Sequence, residues 1–118
     1  MNVRIQAKDF SLTAALDAEI RKQVEQALGR FDTYIVAVDV FLSDVNGPKG
    51  GRDKACVIRV QLPNRTTIPI ETVRADLYAA VYQSARRARR VVRRTLKKQK
   101  RFERSLLREM RYGESTSG

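Results

Sequence analysis

From Asp76 to Tyr112 the sequence contains neither glycine nor proline, and its apolar residues recur on one side of a helix. With Val81 set at zero and a turn of about 100° per residue, Leu77, Tyr78, Val81, Ser84, Ala85, Ala88, Val92, Thr95 and Leu96 fall within about 60° of it. Phe102, Leu106 and Met110 continue the stripe, while every Lys and Arg from Arg86 to Arg111 lies outside it. Asp76 is well placed to cap the first turn. A helix with an apolar stripe and a cationic back cannot stand alone in water. It must lie on another element, and the residues before it have to supply that element.

They do so as strands. Asn2 to Lys8 alternates, with Val3, Ile5 and Ala7 on one face and Arg4, Gln6 and Lys8 on the other, which predicts a half-buried strand. Thr13 stands at an N-cap position, and Leu16, Ile20, Val24, Ala27, Leu28 and Phe31 follow at helical spacing, with Gly29 suited to a C-terminal cap. Ile35 to Ser43 is rich in β-branched residues and predicts a second strand. The segment Asn46-Gly47-Pro48-Lys49-Gly50-Gly51 predicts a loop, Ala55 to Leu62 a third strand, and Thr66 to Thr72 a fourth after the turn Pro63-Asn64-Arg65. Pro69 lacks a ladder donor and belongs at an edge or a bulge. The order predicts an α+β fold, a β-α-β-β-β-α sandwich with two helices on one face of a four-stranded, mainly antiparallel sheet.

Charge narrows the function. The 24 Lys+Arg against 13 Asp+Glu give a net +11. The segment from Met1 to Arg74 holds 11 basic and 9 acidic residues, whereas Ala75 to Arg111 holds 13 basic residues against Asp76, Glu103 and Glu109. Such polarisation points to a polyanionic partner. Absences exclude other classes. There is no histidine, so Ser-His or Cys-His nucleophile pairs and most metal sites are unavailable, and neither a metal nor a cofactor is expected. Cys56 reads as a small buried hydrophobe, and a single cysteine suits a reducing cytosol. The carboxylates Asp39, Asp44 and Asp53 suit turns and solubility better than catalysis. The glycine-rich loop lacks the Gly-Lys-Ser/Thr and following helix of a phosphate-binding loop, though Lys49, Arg52 and Lys54 can brush a phosphate backbone. The amino-terminal residues do not read as a signal peptide, and no run is long enough to span a bilayer. The expectation is a cytoplasmic protein that is not an enzyme.

Most charged helix faces are merely solvated, but solvated faces normally mix signs so that i,i+4 neighbours attract. Here Arg86, Arg87, Arg89, Arg90, Arg93, Arg94, Lys97, Lys98, Lys100 and Arg101 stand together with no acid among them. Like charges at this spacing cost a few tenths of a kcal/mol per pair, about 0.2–0.5. A bound polyanion relieves that cost, and arginine's planar fork suits phosphates and base stacking. A membrane surface is the competing polyanion, but the opposite face holds the small residues Ala85, Ala88 and Thr95. Phe102, Leu106 and Met110 alone favour membrane contact or self-association.

Several motifs now combine. Thr13-Ala14-Ala15-Leu16, the run Leu42-Ser43-Asp44-Val45-Asn46-Gly47-Pro48-Lys49-Gly50-Gly51 with Asp53-Lys54, and Asp76-Leu77-Tyr78-Ala79-Ala80-Val81 opening a basic last helix resemble the ribosome hibernation-promoting factors. These are also called ribosome-associated inhibitors or sigma-54 modulation proteins, and the resemblance covers about residues 1 to 100. It implies a fold similar to a double-stranded-RNA-binding domain. It implies a place on the small ribosomal subunit and its rRNA, in the mRNA channel and tRNA sites, where members block translation and preserve idle ribosomes in stress or stationary phase. Counting from the Asp-Leu-Tyr opening, it implies rRNA contacts at Arg87, Arg90 and Arg94. Members also place basic residues on the first helix; the matching stretch here has Gln23 and Gln26, with Arg21 and Lys22 beside them. The chain is too short for the second, ribosome-pairing domain of long members.

The expected organisation is a ribosome-binding domain over residues 1–100, a basic extension of the last helix over 101–112, and a disordered tail over 113–118. The expected rRNA-binding residues are Arg87, Arg90, Arg94 and Lys98, with Arg86, Arg93, Lys97, Arg101, Arg21 and Lys22. The free protein is expected to be a monomer with no membrane partner. Two rival expectations are a general double-stranded-RNA or RNA-chaperone module, and a membrane-surface or self-association module using Phe102, Leu106 and Met110.

Overall fold

The computed structural model describes residues 1–45 and 53–117, with side chains described through Met110, so the predicted loop 46–51 lies outside the described residues. Four strands form one sheet in the order β1-β2-β3-β4: β1 (Asn2–Lys8), β2 (Ala37–Asp44), β3 (Lys54–Gln61) and β4 (Thr67–Arg74). β1 runs parallel to β2 and the other two pairings are antiparallel, as the mainly antiparallel α+β reading expects. Between β1 and β2 stand α1 (Ala14–Leu28) and a 3-10 turn, Gly29–Tyr34; α2 (Leu77–Ser117) follows β4.

Register explains the core. Three rows cross the sheet: Val3-Val38-Val60-Ile68, Ile5-Val40-Ile58-Ile70 and Ala7-Leu42-Cys56-Thr72. All point to one face, because side chains on a strand alternate with period two. Leu16, Ile20, Val24, Ala27 and Leu28 of α1 cover this face together with Ala80, Val81, Ala85, Ala88 and Val92 of α2. Small residues on α2 let it approach closely, and the buried Ser84 hydroxyl donates to the Cys56 carbonyl at 3.3 Å. The opposite face stays uncovered by helices. There Asp39 accepts from Arg4 at 2.7 and 3.2 Å and from Gln61 at 2.8 Å, and the Arg59 guanidinium lies 5.3 Å from the centre of the Phe41 ring.

Local signals at the helix starts hold. The Thr13 hydroxyl accepts from the Leu16 amide at 3.1 Å, and the Asp76 carboxylate accepts from the Tyr78 amide at 3.2 Å. β4 is an edge strand, where Pro69 is tolerated. Gly29 is the C-cap residue of α1, as its position predicts; it is right-handed (φ −57°, ψ −34°), and the chain tightens from it into the 3-10 turn. One expectation needs correction. Tyr78 is exposed although it falls on the stripe, whereas Ala80, outside the stripe, is buried. The buried arc is rotated toward Ala80 because α2 also meets β4, reached on that side by Arg87. The helical backbone continues past Gly113 to Ser117. One glycine costs a helix only about 1 kcal/mol, and no proline follows to stop it.

Candidate nucleic-acid interface

Residues 77–96 of α2 rest on the sheet and on α1; from Arg101 to Met110 every residue is exposed, and the helix stands clear of the domain. Its cations therefore fall into three settings. Arg87 is tied to the fold: its Nη1 donates to the Glu71 carbonyl at 2.6 Å and to the Thr72 hydroxyl at 3.2 Å. Arg86 and Arg90 line a notch of about 330 Å³ with Arg74, Ala79, Tyr82 and Gln83, and Arg86 lies 4.9 Å from the centre of the Tyr82 ring. Arg74 enters from β4 and donates to Gln83. Arg93 and Lys97, joined by Lys100, line a cleft of about 460 Å³ against Phe31 and Tyr34 of the 3-10 turn.

The remaining predicted contacts are spread out. Lys98 lines a shallow groove with Asn64, Gln99, Phe102 and Glu103, while Arg94 and Arg101 are exposed. On α1, Arg21 pairs with Asp17 at 2.8 Å and donates to the Val3 carbonyl at 3.0 Å; Lys22 beside it is exposed. The loop-side Lys54 is held by Asp44 at 2.7 Å and Asp53 at 3.4 Å, and its pKa is raised chiefly by the hydrogen bond to Asp44. It is thus occupied within the protein.

Among the described residues, no carboxylate forms an ion pair with any Lys or Arg from Arg86 to Arg108. Repulsion between i,i+4 cations is unrelieved from within, and the face has the charge and spacing to take a row of phosphates as counter-charge. Aromatic rings beside the cations add stacking surfaces. Arg74, Phe31 and Tyr34 come from elsewhere in the chain, and spacing on α2 gave no sign of them. The Tyr82–Arg86 pair was legible, being four apart on one helix. Among the described residues there is no cluster of three His, Cys, Asp or Glu suited to a metal, and no helix long and apolar enough to cross a membrane.

Comparison with known proteins follows this architecture. A search of curated proteins gives no match. Among solved structures, a ribosomal subunit interface protein from Coxiella burnetii superposes with a TM-score of 0.69 at 17% identity, covering 80% of this chain and 97% of its own. The N-terminal domain of Protein Y from Thermus thermophilus gives 0.63 at 27% identity, covering 80% and 99%. Residues 3–100 match the family model described as sigma 54 modulation protein / S30EA ribosomal protein. The chain belongs to the sigma 54 modulation protein / S30EA ribosomal protein family.

Proposed function

We propose that this protein is a bacterial ribosome-hibernation factor. It is a non-enzymatic, ribosome-associated protein of the cytoplasm. It binds small-subunit rRNA in the region of the mRNA channel and tRNA sites, inhibits translation and protects idle ribosomes in stress or stationary phase. The observation that carries this reading is the α2 face from Arg86 to Arg101, ten cations with no acid among them on a rigid base. Family membership supports the ribosome, rather than polyanions in general, as the partner of that face. The domain over residues 1–100 does the docking, and the extension over 101–112 adds charge along the same track. Affinity comes mainly from counterion release and selectivity from the shape of folded rRNA.

Co-sedimentation of the purified protein with small ribosomal subunits tests this, with and without mRNA and initiator tRNA. Binding that those ligands displace is the expected result. Binding that ignores them, or that free duplex RNA competes away equally, would reduce the protein to a general basic RNA binder. The exposed Phe102, Leu106 and Met110 favour self-association as a second reading; a stable oligomer free of RNA would support it.

A further inference from the structure

We propose that the cleft between α2 and the 3-10 turn binds an unpaired RNA base together with its flanking phosphate. The proposal rests on the reading of the chain as an RNA binder and deepens it. Within one cavity of about 460 Å³ stand two aromatic rings, Phe31 and Tyr34, and three cations, Arg93, Lys97 and Lys100. That volume falls in the range of pockets that enclose small ligands, about 300–1,000 Å³.

The two rings differ usefully. Phe31 is half-buried and packs on the core, making a fixed floor. Tyr34 is 56% exposed, a large ring left for something to stack on. The turn that carries both is pinned: the Ile35 amide donates to the Asp32 carbonyl at 3.3 Å, and the Asp32 carboxylate accepts from the Met1 ammonium at 2.8 Å. A backbone held in place leaves only the side-chain torsions of Tyr34 to be ordered on binding, which limits the cost set against stacking.

Across the cleft, Arg93, Lys97 and Lys100 recur at helical spacing, so a phosphate attached to the stacked base meets positive charge on that wall. Leu96, Gln99 and Glu103 complete the lining. A carboxylate only accepts, so Glu103 repels phosphate at its end and favours a base edge that donates. Guanine presents two donor groups on its pairing edge and uracil one, so guanine is preferred. A paired, stacked base has its face and its edge already occupied. The cleft therefore selects single-stranded or bulged nucleotides, in contrast to the open cationic back of α2.

The test compares labelled short single strands of guanosine-containing and uridine-only RNA with a duplex of equal charge, at fixed salt. Tyr34→Ala should weaken the guanosine-containing strand roughly tenfold and leave the duplex within about twofold; Tyr34→Phe should keep most of the affinity. Glu103→Gln should narrow the preference over uridine. On the unaltered protein, an oligonucleotide carrying a photoreactive guanosine should crosslink to Tyr34 or Phe31. Equal losses on both RNAs with Tyr34→Ala, no loss on either, or crosslinks confined to other residues would overturn the proposal. Titration with guanosine monophosphate separates the sources of the ligand. Tyr34-dependent binding of the mononucleotide makes a free nucleotide sufficient, while its failure beside a bound oligonucleotide assigns the cleft to RNA, and either supports the base-and-phosphate chemistry. Because these measurements use no ribosomes, failure to co-sediment with small subunits would sink the ribosomal reading without touching them.

Discussion

The guanidinium of Arg87 is committed to β4 through Glu71 and Thr72, whereas Arg90 and Arg94, on the same flank of α2, are exposed to solvent. The spacing that groups the three as one contact surface does not reveal this difference. Arg87→Ala should cost about 1 kcal/mol of stability through the lost hydrogen bonds, visible as a lower denaturation midpoint. Arg90→Ala and Arg94→Ala should leave that midpoint within about 0.5 kcal/mol. Each should flatten the dependence of log binding constant on log salt by about one unit, the signature of one lost phosphate contact. A triple substitution would confuse the two effects. Cys56 gives a second residue-scale expectation. Burial pushes its thiol up to about 11 from the ordinary 9.0, only partly opposed by the Ser84 hydroxyl. A folded pKa above the unfolded one means that the stabilisation is complete below about pH 9. It is lost as pH rises toward 11, by roughly 2 kcal/mol. The denaturation midpoint should fall across that window, less so in Cys56→Ala, and iodoacetamide at pH 8 should label the thiol only after unfolding.

At the scale of elements, periodicity placed both α-helices and all four strands but not the 3-10 turn, and β1 coincides with the reading over Asn2–Lys8. Edges drifted where only pairing decides them. β2 begins at Ala37 rather than Ile35 because its ladder begins opposite Asn2 and Gln61, and β4 runs on to Arg74 because Lys54 pairs with it there. α2 divides into a packed part and a projecting part, although its stripe runs through both. Phe102 is 68% exposed and Met110 56%, since the sheet beneath them has ended. A chain ended after Lys100 should therefore melt within about 2 °C of the full chain, because no core contact is lost. Its nucleic-acid affinity should fall through the removal of Arg101, Arg104, Arg108 and Arg111. A large drop in melting temperature would mean that the extension folds back on the domain.

At the scale of the whole molecule, that same point sets the shape. The principal extents are 71 × 24 × 18 Å and the radius of gyration is 18.6 Å, against about 13 Å for a compact chain of this length. Small-angle scattering on the free protein should return a value near 18 Å with an elongated distance distribution. A value near 13 Å would show the helix docked. What the sequence determined by itself is whatever depends on neighbours along the chain: the periods of two and 3.6, the caps at Thr13 and Asp76, and a cationic face with no acid between Arg86 and Arg101. Those features select the fold class and a polyanionic partner, because backbone geometry and local charge repulsion act over a few residues. Tertiary structure alone decided which cations remain available and what stands beside them. β4 takes Arg87 and brings Arg74 to Arg86 and Arg90, and the 3-10 turn sets Phe31 and Tyr34 against Arg93, Lys97 and Lys100. The last of these groupings joins segments some 60 residues apart, and only the packing of α1 and α2 on a common sheet fixes the distances across it.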